Sequence, residues 1–189
     1  MTSTTTTYEL RAFITELRDI TAATGDPREI VARVRPLARD LAVARTWLEP
    51  KHYTCDPAQG FGVHLLHEEP DHTLAVFAVA WLPGRGAPPH NHGTWAVVTG
   101  VDGPETNVFW RRVDDGARAG YAEIVEQARK VFGVGEIVTF MPDSIHSVIN
   151  ETSAVTVSLH VYGTHINYTV RSQFDPVRRV EQEFKVKES

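Results

Sequence analysis

The sequence predicts a mainly β fold, a double-sheet jelly roll or barrel with helices at its N-terminal end, and three observations carry that prediction. From Phe61 onward the chain divides into short segments rich in Val, Phe, Trp and Thr, separated by Gly, Pro and Asp-Gly turns. Little helical periodicity lies among them, which argues against the alternating strands and helices of a parallel α/β sheet. Helical spacing is confined to the first part of the chain, and 189 residues with 42% hydrophobic side chains supply one well-cored domain rather than two. The expected division is a tail and helices over 1–50 that pack on a barrel over 51–189.

Taken in order, the Thr-rich start MTSTTTTYEL is expected to fray, and Leu10, Phe13, Ile14 and Leu17 then recur at helical spacing. A second helix opens at DPREIVARVRPLARDLAV. Asp26 is its N-cap, Pro27 sits in the first turn where a missing N–H costs nothing, and Glu29 is placed to complete a capping box. Pro36 predicts an interruption or kink. The strand candidates follow as FGVHLLH, TLAVFAVAWLP, TWAVVTGV, TNVFWRRV, YAEIVEQARKVF, EIVTFM, HSVIN, AVTVSLHVYG and INYTVRSQF. No internal repeat accompanies them.

Composition excludes some partners. A formal net charge of -5 offers nucleic acid or an anionic membrane no attraction. The longest apolar run, around LAVFAVAWLP, is about half of what a membrane-spanning helix needs. The single Cys55 has no internal disulfide partner, and the start has neither the basic nor the apolar segment of a signal peptide. A cytoplasmic, reducing location and a monomer or small homo-oligomer are expected.

The stretch PPHNHGTWAVVTG holds two histidines one residue apart. On an extended strand, residues two apart face one side, so His90 and His92 would project together with Asn91 turned away. Two imidazoles on one face are half of a metal site; taken alone, the pair is equally a pair of loop histidines after Pro88 and Pro89. Gly84 precedes His90 by six residues and Gly103 closes an Asp-Gly turn, while GEIVTFMPDSIHSVIN supplies Gly135, Pro142, His146 and Asn150. This pattern resembles the two sequence motifs of the cupin superfamily, the first contributing H-x-H and the second one His. The second motif is one residue short between Pro142 and His146 and has Ser144 where glycine is usual. The glutamate that follows H-x-H in ordinary cupins is absent, those positions being Gly93, Thr94, Trp95 and Ala96. The resemblance therefore implies metal ligation by three neutral imidazoles, His90, His92 and His146, leaving open positions for a substrate that brings its own donors. Zinc, copper, manganese and nickel suit such a shell as well as iron does.

In AVTVSLHVYG, Ser158, His160 and Tyr162 alternate with Leu159 and Val161, so hydroxyl, imidazole and phenol share one strand face. A solvated strand face reads the same way when taken alone. Following an H-x-H/His cupin that lacks the glutamate, however, this Ser-x-His-x-Tyr is similar to the thiol dioxygenase family of cysteine and 3-mercaptopropionate dioxygenases, over about residues 61 to 172. The resemblance implies a mononuclear non-haem Fe(II), oxidation of a small carboxylated thiol to its sulfinate by O2, and a catalytic Ser158, His160 and Tyr162. It also places Arg171 where bacterial mercaptopropionate-type members carry an arginine for the substrate carboxylate, a group suited to a bidentate guanidinium.

Two positions depart from the family. The Arg or Gln that marks substrate type before the first motif is missing, since the neighbourhood reads Gly62, Val63 and His64; His64 is the candidate to replace it as a substrate-binding group. The tyrosine-cysteine cross-link of mammalian members has no partner here, because Ala96 stands after H-x-H and Cys55 lies far upstream. His52, His67, His72 and His165 are read as bystanders, and Phe77 and Trp95 as core or pocket wall. Two other functions stay open at this stage: a cupin metalloenzyme acting on a non-thiol small molecule, and a non-catalytic metal-binding cupin.

Overall fold

The computed structural model describes residues 8–189. The frayed tail expected for the Thr-rich start falls outside them. Helix α1 spans Leu10–Ala23 and buries Phe13, Ile14, Leu17 and Ile20, the stripe that its apolar spacing prescribes. Helix α2 spans Pro27–Ala44; the Asp26 carboxylate accepts from the Arg28 N–H at 2.9 Å, and Arg45 ends it in the left-handed region at φ 54°. Glu29 does not close the expected capping box but turns to Arg33, 3.7 Å away. Nor does Pro36 interrupt the helix. Val34, Ala38 and Leu41, on either side of it, are all seated in the core, and that packing holds the helix through one lost hydrogen bond.

After a 3-10 turn at Pro50–Tyr53 come β1 (Phe61–Glu68), β2 (Thr73–Trp81), β3 (Gly86–His90), β4 (Ala96–Asp102), β5 (Glu105–Arg112) and β6 (Ile124–Phe132). The remaining strands are β7 (Ile137–Phe140), β8 (Ile145–Ile149), β9 (Thr156–Thr164), β10 (Ser172–Asp175) and β11 (Val180–Glu183). They form two antiparallel sheets, a five-stranded one in the order β1-β2-β9-β4-β7 and a six-stranded one in the order β11-β10-β3-β8-β5-β6. The fold is the mainly β jelly-roll barrel with N-terminal helices that the sequence predicts.

Two hydrophobic layers hold it. Phe13 and Leu17 of α1 and Val34 and Leu41 of α2 pack on the outer face of the five-stranded sheet, against Val76, Val97, Leu159 and Val161. On the inner face, Phe77 and Val79 join Val98, Phe140 and Val148 inside the barrel. Strand β2 is thus buried on both faces, which is why TLAVFAVAW reads as a continuous apolar run rather than an alternation. Each fully buried Val or Leu contributes on the order of 2 kcal/mol.

Three segments differ from the sequence expectation. GAPPH, which is not among the strand candidates, is a strand; Pro88 and Pro89 lack N–H groups, and the pairing of β3 with β8 shifts register between Ala87 and His90 to accommodate them. INYTVRSQF is not one strand, since a turn in which the Tyr168 N–H donates to the His165 carbonyl precedes β10. Strand β11, too polar to stand out, pairs with β10. Among the described residues, no helix is long and apolar enough to cross a membrane.

Candidate metal centre

His90 ends β3, opposite His146 of β8. His92 lies beyond the strand, in a loop whose Gly93 takes φ +65° while its N–H donates to the Pro142 carbonyl. Convergence of the two histidines therefore comes from a loop rather than from the period of a strand. Asn91 does turn away, its side-chain oxygen accepting from the Ser172 N–H at 2.8 Å. The three imidazoles are buried, and each offers a nitrogen within 4.8 Å of the others.

Neighbours orient two of the rings. His90 Nδ1 lies 2.8 Å from the Pro88 carbonyl, and His146 Nδ1 lies 2.8 Å from Asn107 Oδ1. Each therefore carries its proton on Nδ1, where an acceptor stands, and directs a bare Nε2 elsewhere. His146 Nε2 and His92 Nδ1 are buried with no hydrogen-bond partner among the described residues. Burial, followed by the neighbouring imidazoles and Arg171, pushes His92 and His146 well below the usual histidine range; His90 is pushed down to about 3 by burial first and Arg171 next. Neutral rings with unused lone pairs converging on one point are the donor set that a divalent transition metal requires.

Beside them runs a polar chain along the inner face of β9. Ser158 Oγ lies 2.8 Å from His160 Nε2, and His160 Nδ1 lies 2.8 Å from the Tyr162 hydroxyl. The Trp81 indole N–H donates to Ser158 Oγ at 3.3 Å. All three members are buried, whereas Leu159 and Val161 face the helices. The alternation thus records a polar interior and an apolar outer face, the reverse of a solvated strand. His160 is pushed down to about 3, mainly by burial, and burial raises the Tyr162 phenol above its usual range, so both are neutral near pH 7.

One cavity, of about 360 Å³ including its mouth, is lined by His90, His146, His160, Tyr162 and Arg171. Arg171 is 3% exposed. Its Nε donates to the Phe184 carbonyl at 3.1 Å, and the guanidinium stacks 4.3 Å from the Phe184 ring centroid. Burial pushes it down to about 10, with only the Tyr162 phenol acting against that shift. Among the described residues, no carboxylate pairs with this buried cation.

His64 does not share this cavity, which corrects its assignment as a substrate-binding group. Val63 points into the barrel, so the period of a strand turns His64 outward, where its Nε2 lies 2.9 Å from the Thr54 carbonyl and its ring packs on His52. Sequence reasoning missed Asn107, the partner of His146, and Phe184, which holds Arg171. It also missed Glu105, a buried carboxyl on the same strand as Asn107. No motif marks these residues; only the alternation of β5 could have indicated that Glu105 and Asn107 share a face.

No protein-family model matches the chain. Among solved structures it is similar to oxalate oxidase in complex with the substrate analogue glycolate, at 18% identity and a TM-score of 0.45, over 56% of this chain and 52% of that one. It is similar to the DMSP lyase DddQ from Ruegeria pomeroyi DSS-3, at 16% identity and a TM-score of 0.43, over 59% and 50% of the two chains. A conserved protein with a double-stranded β-helix domain from Klebsiella pneumoniae subsp. pneumoniae MGH 78578 matches at 12% identity and a TM-score of 0.47, over 68% of this chain and 96% of that one. The chain spans about half the length of the oxalate oxidase and the lyase. These likenesses are to the double-stranded β-helix, or cupin, class of fold and extend no further.

Proposed function

We propose that the protein is a mononuclear non-haem iron dioxygenase that oxidises a small carboxylated thiol, of the cysteine or 3-mercaptopropionate type, to its sulfinate. The observation that carries this reading is the Arg171 guanidinium, with no carboxylate partner among the described residues, in one cavity with His90 and His146 of the three convergent imidazoles and with His160 and Tyr162 of the Ser–His–Tyr chain. In the reaction the thiol sulfur gains both atoms of O2 and loses its proton, so no external reductant is required.

Fe(II) held by His90, His92 and His146 would supply the reactivity toward O2 and bind the sulfur. Arg171 would anchor the carboxylate through its planar fork and so fix the distance from carboxylate to sulfur. Tyr162, held by His160, would offer its hydroxyl as a hydrogen-bond donor where charge develops, and buried walls such as Phe61 and Val79 would exclude water.

Oxygen consumption by Fe(II)-loaded protein against thiols with and without a carboxylate tests this reading. Stoichiometric sulfinate from carboxylated thiols alone is expected. Oxygen uptake only with a non-thiol carboxylate would replace it with a different cupin oxygenase, and metal binding without turnover of any thiol would overturn it.

A further inference from the structure

Among the described residues that line the cavity, all are buried except Val186, which is half-buried. The cavity therefore meets solvent beside Val186, and a substrate reaches the imidazoles only when a wall moves. Most walls are fixed. His90, Val79, Val148 and Tyr162 belong to strands paired on both sides, and Phe61 and Val63 lie on β1, which pairs with β2 along its length. The loop that carries Ile166 and Arg171 is tied to the histidine loop, because the Thr169 hydroxyl donates to the His92 carbonyl at 2.9 Å and the Asn91 N–H donates to the Ser172 carbonyl at 3.1 Å. Moving that loop would disturb the metal centre itself.

The remaining wall is a strap, residues 184–189, which follows β11 and lies outside the sheet ladders. Its side chains alternate: Phe184 and Val186 face the cavity, while Lys185 and Lys187 are exposed. Two side-chain amides hold it from opposite sides of the mouth. Asn167, on the loop side, accepts from the Val186 N–H at 3.2 Å and donates to the Val186 carbonyl at 3.1 Å. Gln59, on the β1 side, accepts from the Lys187 N–H at 2.9 Å and donates to the Lys187 carbonyl at 3.2 Å. Beyond them Lys187 pairs with Asp56 at 2.6 Å, and the Ser189 N–H donates to the Val63 carbonyl at 2.8 Å. Each of these groups is partly exposed, so water can replace its partner at little net cost.

The near end of the strap is held differently. The Phe184 N–H donates to the Arg171 carbonyl at 3.0 Å, the Phe184 carbonyl accepts from Arg171 Nε, and the Phe184 ring packs 5.1 Å from the His90 ring. Phe184 is buried, so this end stays in place when the rest lets go. We propose that residues 185–189 are the gate of the cavity, hinged at Phe184, with Val186 as the panel that closes the mouth and Asn167 and Gln59 as its two latches. Opening exposes His90 and His146 and leaves Arg171 held by Phe184, so a carboxylate meets a preset anchor before the roof closes over it.

The gate rests on this cavity being the reaction site proposed above, not on the substrate being a thiol, and its test needs neither substrate nor metal. In the full chain without added metal, amide exchange followed by NMR reads the strap, and the initial rate of acylation of each histidine by diethyl pyrocarbonate, located by mass spectrometry, reads access to the cavity. In Asn167→Ala, the Lys187 amide, whose own partner Gln59 is untouched, should exchange roughly five- to tenfold faster. In Gln59→Ala the Val186 amide should do the same, and this second latch carries the test if Asn167→Ala does not fold. Acylation of His90 and His146 should rise by a matching factor, while His67, half-buried far from the mouth and held by Glu69, should keep its rate. Faster exchange confined to the amide that lost its partner would show that the strap does not open as a unit and would overturn the proposal. So would a faster strap with unchanged acylation of His90 and His146, or acceleration that extends to His67 and the amides of β9. Absence of thiol turnover alters none of these rates, so the two readings fail separately.

Discussion

Replacing Arg171 separates the cost of holding a buried charge from what that charge does. Its lowering from the usual guanidinium range to about 10 corresponds to on the order of 3 kcal/mol of uncompensated desolvation, at about 1.4 kcal/mol per tenfold change. The partners that remain, the Phe184 carbonyl and ring, offset this only in part. Arg171→Met should therefore leave the ligand-free protein as stable as the wild type or more so, because the lost hydrogen bond is worth only about 1 kcal/mol. Substrate binding should behave oppositely. A carboxylate that relieves the desolvation and accepts two charge-assisted bonds stands to lose roughly 2–4 kcal/mol in transition-state binding, or about 30- to 1000-fold in kcat/KM. Arg171→Lys should not restore it, since an ammonium lacks the planar fork. The assay pairs thermal unfolding with kcat/KM for 3-mercaptopropionate and for the mercapto-alcohol of equal length. Equal losses for both thiols, or a large fall in unfolding temperature without ligand, would refute the anchoring role and make Arg171 a fold residue.

His146→Ala should strip most bound metal while circular dichroism shows an intact barrel, and full occupancy would remove His146 from the ligand set. Tyr162→Phe should keep the metal and lower turnover on the order of 100-fold; metal loss that accounts for the whole effect would assign the tyrosine a structural part. Because Glu105 is raised from 4.5 to about 8, the folded state holds its proton where the unfolded chain has released it. The stability from this neutral carboxyl is present below pH 4.5 and is lost as pH rises toward 8, by up to about 1.4 kcal/mol per pH unit, a slope that chemical unfolding should show and Glu105→Gln should flatten. His64→Gln should leave kcat/KM unaltered, and a selective loss with carboxylated thiols would return His64 to the substrate site.

Much of the fold and part of the centre were legible in the chain. Strand segments, the cap at Asp26 and the candidate metal pattern of His90, His92 and His146 depend on local spacing, which a sequence displays directly. The polar alternation Ser158-His160-Tyr162 was equally visible, but its sense was not, because alternation states that two faces differ and not which face is inside. The helices decide that: by covering the outer face of β9 with Phe13, Leu17 and Val34, they turn its polar face into the barrel. The same geometry sends Val63 inward and His64 outward.

What the sequence determined by itself, then, was composition along short stretches: helices first and strands after, with a family-like set of imidazoles and hydroxyls. The tertiary structure decided what those groups meet. It placed the amide of Asn107 behind His146, brought Phe184 from the far end of the chain to hold Arg171, and left the Glu105 carboxyl buried. Such contacts join strands distant in sequence and carry no periodic signal. Their energies come from desolvation and from the few hydrogen bonds remaining to a buried group, quantities that exist only once the barrel has closed.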